Sequence, residues 1–329
     1  MVAVVLLFLL SCCSAYANDS SFEASGSTLL PLRDSTIRMV REDLKITIRG
    51  KEARIDVEYV FVNDGPTKTI TVGFVTPPAF GDVSENLQSK PQIKNFTVVV
   101  NGKKLVWKIR KVTPAERSQN LHLYAEDFVY LFDATFPRGR TRVKHSYRFN
   151  AGSSVDAPIH VPYRLTTGTH WQGGSIDTFR LTVDGGKGRL IGVPATFIGD
   201  TVTQLPWKPT GRAVRADSVG YDHYYDDGPR QPDVVWSVEN GVLVLVQFNF
   251  APRQDLMVTL HSGLSLYERA IMSADHAWIA RLSCVELKEL RSWLEMTLSF
   301  ASGSDDRDYD IDRKVLAIVK QAKVKNQCR

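Results

Sequence analysis

The chain is short of the residue patterns that carry chemistry. None of its four cysteines forms a Cys-x-x-C pair, which leaves zinc sites and thioredoxin-type redox chemistry without support. There is no Gly-x-Ser-x-Gly, the sharp turn on which many hydrolases expose a nucleophile; Gly174-Ser175 and His261-Ser262-Gly263 read as turns. The histidines are scattered, with no His-x-His and no His-Glu-x-x-His, so His145 and His160 read as ordinary strand residues. Gly186-Lys187-Gly188 lacks the third glycine of a dinucleotide loop. Adjacent acids such as Glu126-Asp127 would face opposite ways on a strand, so they do not make a glycosidase pair. Neither a cofactor nor an enzyme activity is expected.

Long apolar runs are scarce too. The run Val2 to Leu10 falls short of the roughly 20 residues that span a bilayer. It leads to Ala15-Tyr16-Ala17, a small-x-small site for signal peptidase, and then to polar Asn18-Asp19-Ser20-Ser21. Residues 1–17 therefore read as a cleaved leader, with the cut between Ala17 and Asn18, although no Lys or Arg precedes the apolar run. Leu9-Leu10-Ser11-Cys12 loosely matches a lipobox, so lipid anchoring at Cys12 stands as the alternative. The expected location is periplasmic or secreted, with no transmembrane helix after cleavage. Cleavage removes Cys12 and Cys13 and leaves Cys284 and Cys328, either as one disulfide or as two thiols. The 41 basic and 36 acidic residues are interspersed, which argues for solubility and against a nucleic-acid partner.

What the sequence does contain is a period of two. In Glu52 to Phe61, Ala53, Ile55, Val57, Tyr59 and Phe61 alternate with Glu52, Arg54, Asp56 and Glu58, the pattern of a half-buried strand. Asn63-Asp64-Gly65-Pro66 supplies a turn, with Thr67 to Val75 as partner strand. Phe96 to Val100, Asn101-Gly102 and Leu105 to Ile109 read as a hairpin. Strands are expected at Phe128 to Phe136, Thr141 to Phe149, Ile159 to Leu165 and Ile176 to Val183. A last hairpin joins Val234 to Val238 with Val242 to Phe250, and Leu256 to His261 would pair beyond it. The fold class is mainly β: an antiparallel β-sandwich architecture, with subdomains at 18–160 and 161–262. Residues 263–329 read as a helical segment, in which Ser283-Cys284-Val285-Glu286 is a capping box ahead of Leu287, Leu290 and Leu294.

A succession of short pieces carries a resemblance: Gly26 to Leu30, Ile37-Arg38-Met39, Glu42-Asp43-Leu44, Val60-Phe61-Val62-Asn63, Gly73-Phe74 and Pro77-Pro78. Phe136-Pro137-Arg138-Gly139, Val143 to Tyr147 and Tyr163 to Trp171 continue it. In that order they resemble an exported bacterial family called domain of unknown function 4424, over roughly residues 18 to 261. Leu282-Ser283, Glu286-Leu287 and Leu290-Arg291 are similar to the lead-in of a YARHG domain, but Trp293 to Thr297 stands where its signature would fall. The resemblance implies export and a β-rich fold and supplies no reaction.

The expected function is a non-enzymatic β-sandwich binding or structural module of the cell envelope. The alternative is a periplasmic protein that binds or hydrolyses glycan or cell-wall material. Its candidate ligand residues are Trp171 and the loop Tyr221, Asp222, His223, Tyr224, Tyr225, Asp226 and Asp227, whose aromatic faces suit a sugar and whose carboxylates suit a cation. The expected partner is an envelope protein or a glycan.

Overall fold

The computed structural model describes residues 29–31, 36–75, 90–111, 128–151, 159–197, 204–215, 233–261, 264–300 and 309–328. The expected leader and the expected cleavage site at Ala17 and Asn18 lie outside these residues, as does Cys12. The first strands are β1 (Leu29–Pro31), β2 (Ile37–Arg49), β3 (Glu52–Asn63), β4 (Lys68–Val75), β5 (Lys94–Val100) and β6 (Lys103–Lys104). Next come β7 (Lys108–Lys111), β8 (Phe128–Phe136), β9 (Gly139–Asn150), β10 (Ile159–Tyr163) and β11 (Ile176–Asp184). The rest are β12 (Arg189–Pro194), β13 (Lys208–Thr210), β14 (Ala213–Arg215), β15 (Asp233–Val238), β16 (Val242–Phe250) and β17 (Leu256–His261).

These strands form three sheets. An eight-stranded sheet runs β13-β16-β11-β2-β3-β9-β5-β6, a five-stranded one β10-β17-β12-β15-β14, and a four-stranded one β1-β4-β8-β7. The mainly β, sandwich-like character matches the period-two pattern, because the long strands alternate buried and exposed side chains over most of their length. One apolar core draws on all three sheets, including Phe61, Phe136, Val161, Phe179 and Leu260. The division placed near residue 160 does not separate two sheets. The eight-stranded sheet takes β2, β3, β5, β6 and β9 from before it and β11, β13 and β16 from after it. The seam is β11 on β2, a parallel pair in an otherwise antiparallel sheet.

Several expected hairpins are instead crossings between sheets. β4 pairs with β1 and β8, not with β3. Asn63 holds that corner: its side-chain amide donates to the carbonyls of Pro66 at 2.8 Å and Phe136 at 2.9 Å, while its oxygen accepts from Gly65 N–H at 3.0 Å. β15 and β16 likewise belong to different sheets, and β17 pairs with β10 and β12. The Asn101-Gly102 turn has positive φ at both residues, as a two-residue hairpin turn requires. Only Lys103–Lys104 continues on β5, however. Trp107 packs on Phe96 and Tyr130, and the chain crosses to pair Lys108–Lys111 with β8.

The helices follow as α1 (Leu266–Ser273), α2 (His276–Ile279), α3 (Cys284–Phe300) and α4 (Asp310–Lys325). The capping box at α3 is present: Glu286 N–H donates to Ser283 Oγ at 3.3 Å, and Ser283 N–H donates to Glu286 Oε2 at 2.7 Å. Leu287, Leu290 and Leu294 meet Val315, Ile318 and Val319 in a second core that also includes Leu190 and Val235 of the five-stranded sheet. The helical lobe thus covers that sheet's outer face, where Ser237 Oγ donates to buried Asp275 at 3.0 Å. A disulfide joins Cys284 to Cys328 across a separation of 44 residues. Closing a loop of that length restricts the unfolded chain by about 4 kcal/mol. The double variant Cys284→Ser/Cys328→Ser is expected to lose about 3–4 kcal/mol of stability on that ground. Urea unfolding followed by helical circular dichroism measures the loss, and an unchanged midpoint would exclude it.

Candidate functional site

The geometry of the site begins with one irregularity in β2. Its inward residues are Ile37 and Met39, then Glu42, Leu44, Ile46 and Ile48. The step of three coincides with a register shift against β3 between Met39 and Arg41. One extra residue reverses the faces that all later side chains take. Glu42 therefore turns into the core, while Val40 and Arg41 both lie on the outer face.

That outer face is an open groove of about 900 Å³. Across the sheet, Arg41 on β2 stands opposite Val60 on β3, which stands opposite Arg142 on β9. One row along, Arg38, Val62 and Arg140 repeat the arrangement. Val60 and Val62 form an apolar floor between two cationic rails, with Val40 and Val99 beside it and Lys144 extending the β9 rail. The turn at Asn101 closes one wall, since its side-chain oxygen accepts from Arg142 N–H at 2.9 Å.

The rails are only partly neutralised. Arg38 pairs with Asp177 and Arg41 with Asp43, while Arg142 and Lys144 share Glu58 at 2.9 and 2.8 Å. Arg140 is exposed and has no ion pair among the described residues. Each paired guanidinium keeps N–H donors that one carboxylate does not use. Arg38, Arg41 and Arg142 are 40, 54 and 62 % exposed, so those donors face solvent.

Beneath the floor lies a buried polar chain. Tyr163 on β10 donates to Glu42 Oε1 at 2.9 Å, and the Tyr59 and Tyr163 hydroxyls are 2.8 Å apart. Oε2 of Glu42 has no hydrogen-bond partner among the described residues. A Cβ on Gly168 would come within 2.9 Å of Ile176 Cδ1 and 4.0 Å of that oxygen, so the bare backbone at 168 closes the space above it. Desolvation raises the Glu42 pKa to about 8, outweighing the Tyr163 hydrogen bond that lowers it. His145 on β9 is also buried, edge-on to Tyr59, Phe74, Phe96 and Phe132. Neither of its ring nitrogens has a hydrogen-bond partner among the described residues. Burial lowers its pKa to about 3 and keeps the ring neutral. Both groups sit in the core, Glu42 fully buried and His145 almost so.

Of the residues expected to bind a ligand, only Trp171 is among the described residues. Trp171 is 2 % exposed, with its ring 4.4 Å from that of Phe61 and 6.2 Å from that of Phe136. It is a core anchor where the eight-stranded and four-stranded sheets meet, and a stacking platform would need an open face. Tyr221, Asp222, His223, Tyr224, Tyr225, Asp226 and Asp227 lie outside the described residues. The groove cations were missed because their charges were taken as interspersed along the chain. Arg140, Arg142 and Lys144 alternate with Thr141 and Val143, which in a strand puts all three on one face. Among the described residues no group of three or more His, Cys, Asp or Glu is arranged to hold a metal ion.

Comparison with known proteins places part of the chain. Residues 17–119 match the model of the family described as Domain of unknown function (DUF4424). That stretch includes β1 to β7, and with them the bulge and one cationic rail. A crystal structure from Legionella pneumophila subsp. pneumophila, of a protein described as a candidate nutrient binding protein, is similar in fold. It has 22% sequence identity and a TM-score of 0.52, and the alignment covers 92% of this chain and 98% of that one. No curated protein matches this chain.

The buried groups make stability depend on pH in opposite directions. Between pH 4.5 and 8 the folded chain keeps a Glu42 proton that the unfolded chain releases, so stability falls as pH rises through that window. His145 and His261 have pKa values lowered by burial to about 3 and about 4, so they lose stability as pH falls below 6.5. Together these three groups put the maximum near pH 6.5. Glu42→Gln is expected to remove an alkaline slope of about 1.4 kcal/mol per pH unit between there and pH 8. Thermal melts across pH test this, and the same slope in the variant would contradict it.

Proposed function

We propose that this protein is an exported, non-enzymatic binding module of the cell envelope that captures an anionic, partly apolar ligand on the outer face of its large sheet. The observation that carries this reading is the groove, with a valine floor between the rails of Arg38 and Arg41 and of Arg140, Arg142 and Lys144. Such a surface attracts negative charge from solution and offers apolar contact once the ligand has arrived. Capture is also the kind of role ascribed to the Legionella protein that shares the fold.

Export is supported by the Ala15-Tyr16-Ala17 leader pattern and by the Cys284–Cys328 disulfide, a bond that persists in oxidising compartments. Among the described residues no helix is long and apolar enough to cross a membrane. The helical lobe keeps the second core and the outer face of the five-stranded sheet dry and leaves the outer face of the eight-stranded sheet open. The degenerate YARHG-like character of its sequence belongs to this reading as an expectation.

Titration calorimetry with decyl phosphate, and with decyl maltoside as its neutral counterpart, tests the groove. Only the anion is expected to bind, and Arg140→Glu/Arg142→Glu is expected to weaken it at least about tenfold. Equal binding of both amphiphiles would remove the electrostatic reading. Intact-mass analysis of the protein recovered from a Gram-negative host tests export. A periplasmic product beginning at Asn18 is expected; an acylated Cys12 would make it lipid-anchored, and an uncleaved cytoplasmic chain would refute export.

A further inference from the structure

We infer that the groove's occupant is an acidic polypeptide segment in extended conformation, laid lengthwise over Val60 and Val62; this rests on the anionic-ligand reading above. The spacing of the cations carries the argument. The β2 and β9 rails are two strand spacings apart, about 9.5 Å. Successive rows are two residues apart on β3 and β9, about 6.8 Å, and the bulge makes the same step three residues, Arg38 to Arg41, on β2. Arg38, Arg140, Arg41 and Arg142 therefore mark the corners of a rectangle with the valines along its midline. Long arginine side chains from facing rails can converge on one small anion. It is therefore the repeat of the rows along the rails that calls for a ligand with several negative groups along its length.

An extended polypeptide has that form. Its side chains alternate left and right, and those on each side repeat every two residues, about 6.8 Å. Consecutive glutamates would thus send carboxylates to the two rails in turn, in step with the rows. Asp177, Asp43 and Glu58 show the carboxylate partners that these side chains already take within the protein. An incoming carboxylate would use the donors left facing solvent, beginning with Arg140. The narrow floor, only one strand wide, suits a polypeptide backbone.

Fluorescence anisotropy at low salt with two labelled peptides of equal charge tests the inference. One peptide has four consecutive glutamates flanked by valines, and the other has four glutamates separated by pairs of glycines. The consecutive peptide is expected to bind at least about tenfold more tightly. Arg140→Glu/Arg142→Glu should abolish the difference, whereas Lys325→Glu, on the helical lobe, should leave it unchanged. Equal affinity for the two peptides, or an equal loss from Lys325→Glu, would overturn the inference. Binding of decyl phosphate or inorganic polyphosphate with no binding of either peptide would overturn it while leaving the anionic groove intact. Failure of every anion to bind would overturn both.

Discussion

The arrangement of this protein depends on one extra residue in β2. Without the bulge between Met39 and Arg41, the inward positions would continue as Ile37, Met39 and Arg41, setting a guanidinium in the core. Leu44, Ile46 and Ile48 would then face water, exposing three large apolar side chains that now sit fully or almost fully buried. The bulge resolves both conflicts together. Its cost is Glu42, which must enter the core, and the protein meets that cost by leaving the carboxyl protonated and hydrogen-bonded to Tyr163. A buried neutral acid is far cheaper than a buried charge. Core and groove are therefore two faces of one backbone irregularity.

Much of the architecture was legible in the sequence because burial in a sheet leaves a local trace. The alternation from Glu52 to Phe61 marks β3 almost to the residue, and the capping box at Ser283 marks the start of α3. Strand pairing was less legible. Turn residues such as Asn63-Asp64-Gly65-Pro66 and Glu239-Asn240-Gly241 reverse the chain, but the reversal is the same whether the next strand joins the same sheet or the facing one. That choice is made by remote contacts, such as the Asn63 amide on the Phe136 carbonyl. The bulge was invisible for a related reason. Arg38 to Asp43 contains no glycine or proline to announce it, and only the burial of Leu44 and its successors reveals the change of phase.

The candidate site follows the same division. Trp171 stood out in sequence as an aromatic amid glycines, yet those glycines let the chain turn the ring inward onto Phe61 and Phe136. The cations of the groove come from β2 and β9, which become near neighbours only because β3 lies between them. Their alternation in Gly139–Asn150 was readable as a charged strand face. Its register with Arg38 and Arg41 was not, since no local sequence encodes which strand lies two places away. Binding surfaces on sheet faces share this property: each strand supplies a row, and the pairing order turns the rows into a site.

A carbon-13 titration of the Glu42 side-chain carboxyl tests most directly whether the bulge sets the two faces of the large sheet. A carboxyl turned into the core should titrate at about 8, against an ordinary value of 4.5. A midpoint near 4.5 would mean that Glu42 faces water, and the common origin of core and groove would fall with it.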